Sequence, residues 1–468
     1  MSVLLLSTYE MGRQPFGLAS PAAWLERAGL AVRCVDLSRD RLSDEAVREA
    51  TLVAWYLPMH TATRLAAPVI DRVRRVHPDA HRCAYGLYAP LNAPFLRARG
   101  IDTILGPEFE GDLVALARDL ATRAAATPTS PQATPSDPSI SLSGALRLST
   151  GLPRLSFLPP ERRGLPPLDR YAAVQMGDGT TRVAGYTEAS RGCRHTCRHC
   201  PIVPIYGGTF RVVQPDVVLG DVRAQVAAGA RHITFGDPDF LNGPRHALRI
   251  VEALAREHPG VTYDVTVKVE HLLRHAELLP RLRETGCLFV TTAVEAVDDR
   301  ILARLDKGHT RDDFFRVVDR CRAAGLVLSP TFVAFNPWIT VRGYCDLIET
   351  IAALDLMDHV APIQLAIRLI VTQGSRLLDL PEVRARVGAF DPEALSYPWA
   401  HDDPAVDALQ HQVMALVGLR PGAPRRTVFA AVRQLAHAAV GSEPPASAPR
   451  TAARARATVP YLNEPWYC

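Results

Sequence analysis

The first part of the chain alternates short apolar runs with longer amphipathic stretches. Five apolar runs predict buried strands, at Val3–Leu6, Ala31–Leu37, Thr51–Leu57, Cys83–Leu87 and Thr103–Leu105. Helical periodicity follows them at Ala19–Ala28, Thr61–Val76, Leu91–Ala98 and Gly111–Arg123. Strands that alternate with helices are typical of a parallel sheet covered on both faces. We therefore predict that residues 1–123 form a doubly wound, Rossmann-like (flavodoxin-like) α/β domain.

A second alternation of strands and helices runs over residues 169–376. The predicted strands are Val183–Ala189, His232–Phe235, Thr262–Val267, Leu288–Ala293, Val327–Ala334 and Ile363–Ile370. The predicted helices are Val217–Ala227, Arg245–Glu257, His271–Glu284, Arg311–Ala324 and Val341–Leu354. Six parallel strands with right-handed crossovers predict a partial (β/α)6 barrel of TIM type, open on one side. Functional residues are expected in the loops after the strands, because chemistry in such barrels collects at their carboxyl ends.

The remaining segments differ in pattern. Residues 124–168 predict a linker, because prolines alternate there with Ser, Thr and Ala. Residues 377–440 predict a small helical region, clearest over Val406–Val417 and Thr427–Ala439. Residues 441–468 are rich in Pro, Ala and Arg and predict a flexible tail that ends in Cys468.

Composition narrows the class of protein. A chain of 468 residues with 47% hydrophobic residues allows two or three domains with full cores. No stretch approaches a membrane span, and the apolar run at Val3–Leu6 lacks the basic residues of a signal peptide. Nine cysteines, three of them close together, fit a reducing cytoplasm better than a disulfide framework. A net charge of +4 without a long basic block makes nucleic acid an unfavoured partner.

The most informative loop comes just after the strand predicted over Val183–Ala189. It carries Cys193, Cys197 and Cys200 in a C-x3-C-x2-C spacing. Three thiolates on one short loop can each bind one iron of a [4Fe–4S] cluster, and the open iron can bind a substrate. The alternative is a structural zinc site, since two histidines lie among the thiols. Zinc sites usually bring two ligand pairs from separate turns, and no second pair lies nearby.

This spacing and its position after a strand resemble the radical S-adenosylmethionine (SAM) superfamily. The resemblance implies that the open iron binds the amino and carboxylate groups of SAM. An electron from the cluster then cleaves the sulfonium bond, and the resulting 5′-deoxyadenosyl radical abstracts hydrogen from a substrate. A reductase such as flavodoxin or ferredoxin is the implied electron donor. The family usually has an aromatic residue before the third cysteine, and His199 stands there, with a planar ring that could stack on adenine.

The same resemblance implies SAM contacts at later strand ends. Gly236 and Asp237, after the second strand, resemble the site that receives the SAM ammonium group. Lys268 ends the third strand. Glu295, after the fourth, resembles a glutamate near the ribose or carboxylate of SAM in methylthiotransferase-like and cobalamin-type members. The serine that follows in that pattern is Ala296 here, so one hydrogen bond of the family pattern is missing.

A Rossmann-like domain in front of the cysteine loop resembles the cobalamin-binding module of some radical SAM enzymes. The loop after the first strand has no histidine, whereas the module carries its cobalt ligand there in a D-x-H-x-x-G motif. Cobalamin can bind without that ligand, so it remains a candidate cofactor. The other interpretation is an inherited domain that binds something else or only packs. In either case, the loop over residues 7–16, His60 and Tyr88 are expected to line the site.

The end of the chain resembles the CUAEP/CCAEP-tail radical SAM proteins, which end in Cys-Sec-Ala-Glu-Pro or Cys-Cys-Ala-Glu-Pro. The sequence stops at Cys468, and we hypothesise that the natural protein continues with selenocysteine at a UGA codon. On this hypothesis Cys468 is a catalytic residue, because paired soft ligands on a flexible arm suit metalloid or redox chemistry. The alternative is a frayed tail that ends in a cysteine by chance.

These patterns predict a radical SAM enzyme that modifies a small molecule. A cobalamin-dependent radical SAM methyltransferase is one alternative, and transfer of the aminocarboxypropyl part of SAM to trivalent arsenic is another. A third alternative is a non-catalytic regulator that carries zinc or a cluster. A nucleic-acid modifier of the methylthiotransferase kind is unfavoured because no basic RNA-binding domain is evident. No motif identifies the substrate.

Overall fold

A computed structural model describes residues 2–126, 152–445 and 456–463. The chain divides into two compact units, Met1–Pro166 and Pro167–Cys468. Within the described residues, every helix is too short or too polar to cross a membrane.

The first unit is built around a five-stranded parallel sheet with the order β2-β1-β3-β4-β5. Its strands are β1 (Ser2–Ser7), β2 (Ala31–Asp36), β3 (Leu52–Tyr56), β4 (His81–Tyr85) and β5 (Thr103–Ile104). Its helices are α1 (Phe16–Arg27), α2 (Asp44–Glu49), α3 (His60–Val76), α4 (Tyr88–Leu91), α5 (Ala93–Ala98) and α6 (Glu110–Ala126). The order reverses between β1 and β3, as in a flavodoxin-like fold, which confirms the predicted fold class.

The core of this unit explains its continuous apolar strands. Every residue of β3 is buried, as is all of β1 after its first residue, because helices cover both faces of the sheet. Leu18 of α1 and Leu113 of α6 pack in one cluster with Leu5 of β1 and Ala54 of β3. Burial on both faces is why these strands read as apolar runs rather than as alternating patterns.

The linker predicted over residues 124–168 is wrong for its last part, because residues 152–166 pack on the first unit. Phe157 is buried and Leu165 packs against the core cluster. The backbone N–H of Glu161 donates to Ala19 O at 2.9 Å, and Arg162 donates to the Gln14 side chain at 2.8 Å. The apolar side chains in this stretch bury enough surface to order it. Residues 127–151 lie outside the described part of the chain.

The second unit contains a seven-stranded sheet with the order β13-β12-β11-β10-β7-β6-β14, and β8 pairs with β9 in a separate ribbon. The strands are β6 (Ala173–Gln175), β7 (Thr181–Thr187), β8 (Ser190–Gly192), β9 (Phe210–Val212), β10 (His232–Phe235), β11 (Thr262–Thr266), β12 (Cys287–Glu295), β13 (Val327–Phe332) and β14 (Tyr461–Leu462). The helices are α7 (Val203–Tyr206), α8 (Pro215–Ala227), α9 (Pro244–Glu257), α10 (Val269–Arg274), α11 (Leu279–Glu284), α12 (Asp299–Leu305), α13 (Arg311–Ala323), α14 (Val341–Ala353), α15 (Pro381–Arg384), α16 (Pro404–Gly418) and α17 (Arg425–Ala439).

Five of the six predicted barrel strands form, and they pair in parallel as β7, β10, β11, β12 and β13. The sixth, predicted over Ile363–Ile370, is reduced to a single bridge between Phe335 and Arg368. Its first part is a 3-10 helix over Pro362–Leu365. The Arg368 guanidinium donates to Asp407 and to the carbonyl of Trp399, so this segment joins the helical region instead of extending the ladder.

The C-terminal helices are confirmed as α16 and α17, but the flexible tail predicted over residues 441–468 is wrong for residues 456–463. Strand β14 pairs antiparallel with β6, and Asn463 exchanges two hydrogen bonds with the backbone of Ala173. The Tyr461 ring lies 4.4 Å from the guanidinium carbon of Arg425. The tail is ordered here because it covers both a sheet edge and a buried cation.

Replacing Tyr461 by alanine is expected to lower the free energy of unfolding by about 1–2 kcal/mol. Burial lowers the pKa of Arg425 to about 10, and the Tyr461 ring face helps to stabilise its charge. The control is Tyr461→Phe, which keeps the ring and should lose much less. Urea denaturation measures the difference, and equal losses in the two variants would contradict this account.

Candidate active site

The cysteine loop leaves the sheet after β7 and is framed by the β8–β9 ribbon. Gly192, the last residue of β8, has φ +76°, and a Cβ there would lie 2.6 Å from Thr209 O. Only glycine therefore allows the chain to turn into the loop at this point. On the far side, the backbone N–H of Arg198 donates to Leu305 O at 3.0 Å, which fixes the loop to the end of α12.

The three predicted cluster ligands line one cavity. Cys193, Cys197 and Cys200 are free thiols on a cavity of about 250 Å³. Burial raises the pKa of Cys193, and it raises that of Cys200 to about 12. Such thiols become thiolates only beside strong positive charge, which iron ions supply. Among the described residues that line the cavity there is no fourth cysteine, so the donor set fits a [4Fe–4S] cluster with one open iron.

Glu295 ends β12 and lies between two basic side chains. Its Oε1 lies 3.3 Å from Lys307 Nζ and 3.1 Å from His199 Nε2. Burial alone would raise the pKa of Glu295, but the charges and hydrogen bonds of Lys307 and His199 outweigh it and lower the pKa to about 2. The structure thus brings the predicted residues Glu295 and His199 together and adds Lys307, which sequence reasoning did not assign to the site.

The backbone of Glu295 is strained. Its φ is +70°, in the left-handed region that residues with side chains rarely adopt. The register between β12 and β13 shifts between Ala293 and Glu295, so the strain coincides with a bulge. This bulge belongs to the turn that brings the Glu295 carboxylate to the cavity lining.

The loop after β10 contains two aspartates with different surroundings. The Asp237 carboxylate accepts hydrogen bonds from the Ala189 N–H at 2.9 Å and from the Ser190 hydroxyl at 2.5 Å. It therefore braces the segment that leads into the cysteine loop, and neither Gly236 nor Asp237 lines the cavity. Asp239 does line it, and sequence reasoning missed this residue. The Asp237-Pro238-Asp239 run indicated a carboxylate at this strand end, but the sequence does not show which way each carboxylate points.

Lys268, for which a SAM contact was predicted, lines the cavity, so both lysines of the sequence lie there. Lys268 Nζ lies 3.1 Å from His195 Nδ1 and 3.3 Å from Glu270 Oε2. Two buried cations and the Glu295 carboxylate give the cavity charges of both signs, as a zwitterionic ligand requires. Cys468 lies outside the described residues, so its catalytic role and the selenocysteine continuation stay predictions.

Residues 187–337 match the family described as the Radical SAM superfamily, and this range contains the three cysteines, both lysines and Glu295. The chain contains a radical SAM domain. The hopanoid C-3 methylase of Methylococcus capsulatus is 26% identical over 160 residues, which cover 34% of this chain and 30% of the methylase. A tRNA-2-methylthio-N(6)-dimethylallyladenosine synthase of Geobacter metallireducens is 27% identical over 170 residues, which cover 34% of this chain and 36% of the synthase. The alignments thus span about a third of these relatives.

Solved structures resemble a larger part of this chain. The radical SAM methyltransferase TsrM from Kitasatospora setae, with cobalamin and a [4Fe–4S] cluster bound, has a TM-score of 0.55 and 18% identity and covers 76% of this chain and 70% of its own. The cobalamin-dependent SAM radical enzyme OxsB, with aqua-cobalamin bound, has a TM-score of 0.63 and 13% identity and covers 90% of this chain and 67% of its own. At such identities the likeness concerns the fold, and it agrees with the predicted fold class.

Proposed function

We propose that this protein is a radical SAM enzyme whose cavity binds SAM beside a [4Fe–4S] cluster held by Cys193, Cys197 and Cys200. The observation that carries the proposal is the meeting of three free thiols on one cavity inside the matched radical SAM range. When bound, the cluster supplies the electron that cleaves SAM reductively. We further propose an unidentified small molecule as the substrate and a reductase of the flavodoxin or ferredoxin kind as the electron donor.

The cavity's own residues suit SAM binding. Lys307 and His199 keep Glu295 ionised at neutral pH, so its carboxylate can accept hydrogen bonds from ribose hydroxyls or an ammonium group. Lys268 is the cation that can meet the SAM carboxylate. Apolar side chains such as Val267 line the same cavity and help to exclude water, which strengthens these polar contacts.

A second candidate function is cobalamin-dependent methyl transfer. The flavodoxin-like unit favours it, because ligands of such sheets bind beyond the strand ends at the point where the order reverses. Ser7 ends β1 at this point, and its fully buried hydroxyl has no hydrogen-bond partner among the described residues. Both solved structures named above contain bound cobalamin. The loop over residues 7–16 contains no histidine, so it offers cobalt no imidazole.

Anaerobic reconstitution tests both candidates. The expected result is about four irons and four sulfides per chain, with dithionite-dependent formation of 5′-deoxyadenosine from SAM. Mass spectrometry of SAM-derived products with and without hydroxocobalamin tests the methyltransferase, which predicts cobalamin retention and S-adenosylhomocysteine. One tightly held zinc in place of iron, with unchanged SAM, would favour the regulator instead.

A further inference from the structure

Three side chains of types that bind metals meet beside the cysteine loop, and none of them is a cysteine. Asp239 Oδ2 lies 2.8 Å from His271 Nδ1 and 3.3 Å from His195 Nε2. The three atoms lie within 4.8 Å of one another, and no other described residues form such a group of His, Cys, Asp or Glu. This part of the chain therefore offers possible metal ligands besides the three cysteines.

These atoms are close together, but their contacts lack the angles of well-formed hydrogen bonds. None of the three has a hydrogen-bond partner within the described residues, although Asp239 and His271 are only 1% and 3% exposed. Buried polar atoms without partners are costly. Ligands of one ion show this arrangement, because their lone pairs converge on a common centre about 2.0–2.2 Å away rather than on one another. Two such ligands lie about 3.0–3.4 Å apart, which is close to the two contacts seen.

The three side chains are positioned by separate elements. His195 lies in the cysteine loop, and His271 lies on α10. Asp239 follows β10, and its other oxygen, Oδ1, accepts the Leu241 N–H at 3.1 Å, which leaves Oδ2 directed at the histidines. The protein therefore fixes each ligand independently, as in a built metal site.

The surrounding charges permit a divalent ion. His195 Nδ1 faces Lys268 Nζ at 3.1 Å and Glu270 Oε2 at 3.6 Å, so Nε2 is the ring nitrogen that faces Asp239 and an ion. The nearby ammonium group of Lys268 is balanced by Glu270, at 3.3 Å. Asp239 then remains as the carboxylate that compensates the ion. Two imidazoles and one carboxylate are a ligand set typical of zinc and of iron(II).

We propose that His195, Asp239 and His271 bind one mononuclear divalent transition ion of the zinc type, distinct from the cluster. Three protein ligands leave a coordination position for water or for an oxygen or nitrogen donor of the substrate. His195 and Asp239 line the same cavity as the three thiols, so a substrate bound to the ion would lie within the reaction cavity. The ion site rests on these three side chains and does not depend on the proposed SAM chemistry.

Metal analysis of the anaerobically reconstituted full-length protein, given zinc and freed of excess, tests the proposal. The expected result is one zinc per chain beyond the cluster iron. His271→Ala should lower the affinity for this zinc at least about tenfold, and the variant should keep its iron. The matched control is His275→Ala, whose ring lies 5.7 Å from that of His271 on the next turn but which contributes no ligand. It should keep both metals.

Zinc K-edge absorption identifies the ligands directly. A first shell of nitrogen and oxygen at about 2.0–2.1 Å supports the site. A sulfur shell near about 2.3 Å would place the zinc on the cysteine loop and overturn the proposal. Failure to retain zinc in the iron-loaded protein, or equal zinc retention in the two histidine variants, would also overturn it. The iron content is measured separately, so a failed cluster is distinguished from a failed zinc site.

Discussion

Replacing Cys197 by alanine is expected to remove the bound iron and to lower SAM cleavage at least about 1000-fold, or about 4 kcal/mol of barrier. Cys197 is the most buried of the three thiols that face the cavity, and two thiols cannot hold three corners of a cluster. The same outcome is expected for Cys193→Ala and Cys200→Ala. Iron content, visible absorbance and 5′-deoxyadenosine formation measure the effect under anaerobic conditions.

The matched control is Cys345→Ala, which removes a buried thiol of α14 that does not line the cavity. This variant should keep its iron and its SAM cleavage and lose at most a little stability. Full iron loading of Cys197→Ala, or equal iron loss in Cys345→Ala, would contradict the assignment of the cluster ligands.

Lys307→Met is expected to lower the free energy of unfolding by about 3–5 kcal/mol near neutral pH. The substitution keeps the length of the side chain but leaves the buried Glu295 carboxylate without its ammonium partner. In the native protein the pKa of Glu295 is about 2, below its ordinary value. The stabilisation from this pair is therefore fully present above about pH 4.5 and is lost as the pH falls through about 2.

In the variant Glu295 keeps His199 but loses the ammonium group, so burial should raise its pKa relative to the native protein. The variant's stability deficit should thus shrink as the pH falls from 8 to 5, which urea denaturation at the two pH values measures. Lys307→Met/Glu295→Gln, which removes both charges, should recover most of the loss because the two positions are in contact. Additive losses in the double variant would show that the pair does not interact as described.

The strands of the first unit could be predicted because burial on both faces leaves a strong apolar signal, as in β1 and β3. Strands β6 and β14 could not, since they contain three and two residues and show no period. Their pairing joins segments almost 290 residues apart, and only the folded chain brings them together. The sixth barrel strand was predicted from the alternation of strand-like and helix-like runs, but Arg368 binds the helical region instead.

The candidate site, too, could be predicted from the sequence only in part. The spacing of Cys193, Cys197 and Cys200 is local, so the sequence alone indicated a cluster loop. The contact of His199 with Glu295 joins positions 96 residues apart, and no local pattern encodes it. The sequence pointed to Asp237 as a SAM contact, whereas Asp239 is the aspartate that lines the cavity. The direction of a carboxylate depends on which backbone N–H groups it meets after folding.

The placement of both lysines in one cavity makes the protein unusually simple to label. Every other basic residue of the sequence that carries a permanent charge is an arginine, so the only ε-amines are those of Lys268 and Lys307. Burial alone would lower the pKa of Lys307, but Glu295 and the nearby thiols outweigh it and raise the pKa, which makes that amine a poor nucleophile. A small acylating reagent that modifies a lysine in the folded chain must therefore have entered the cavity, and peptide mapping of that modification reports directly on access to the cavity.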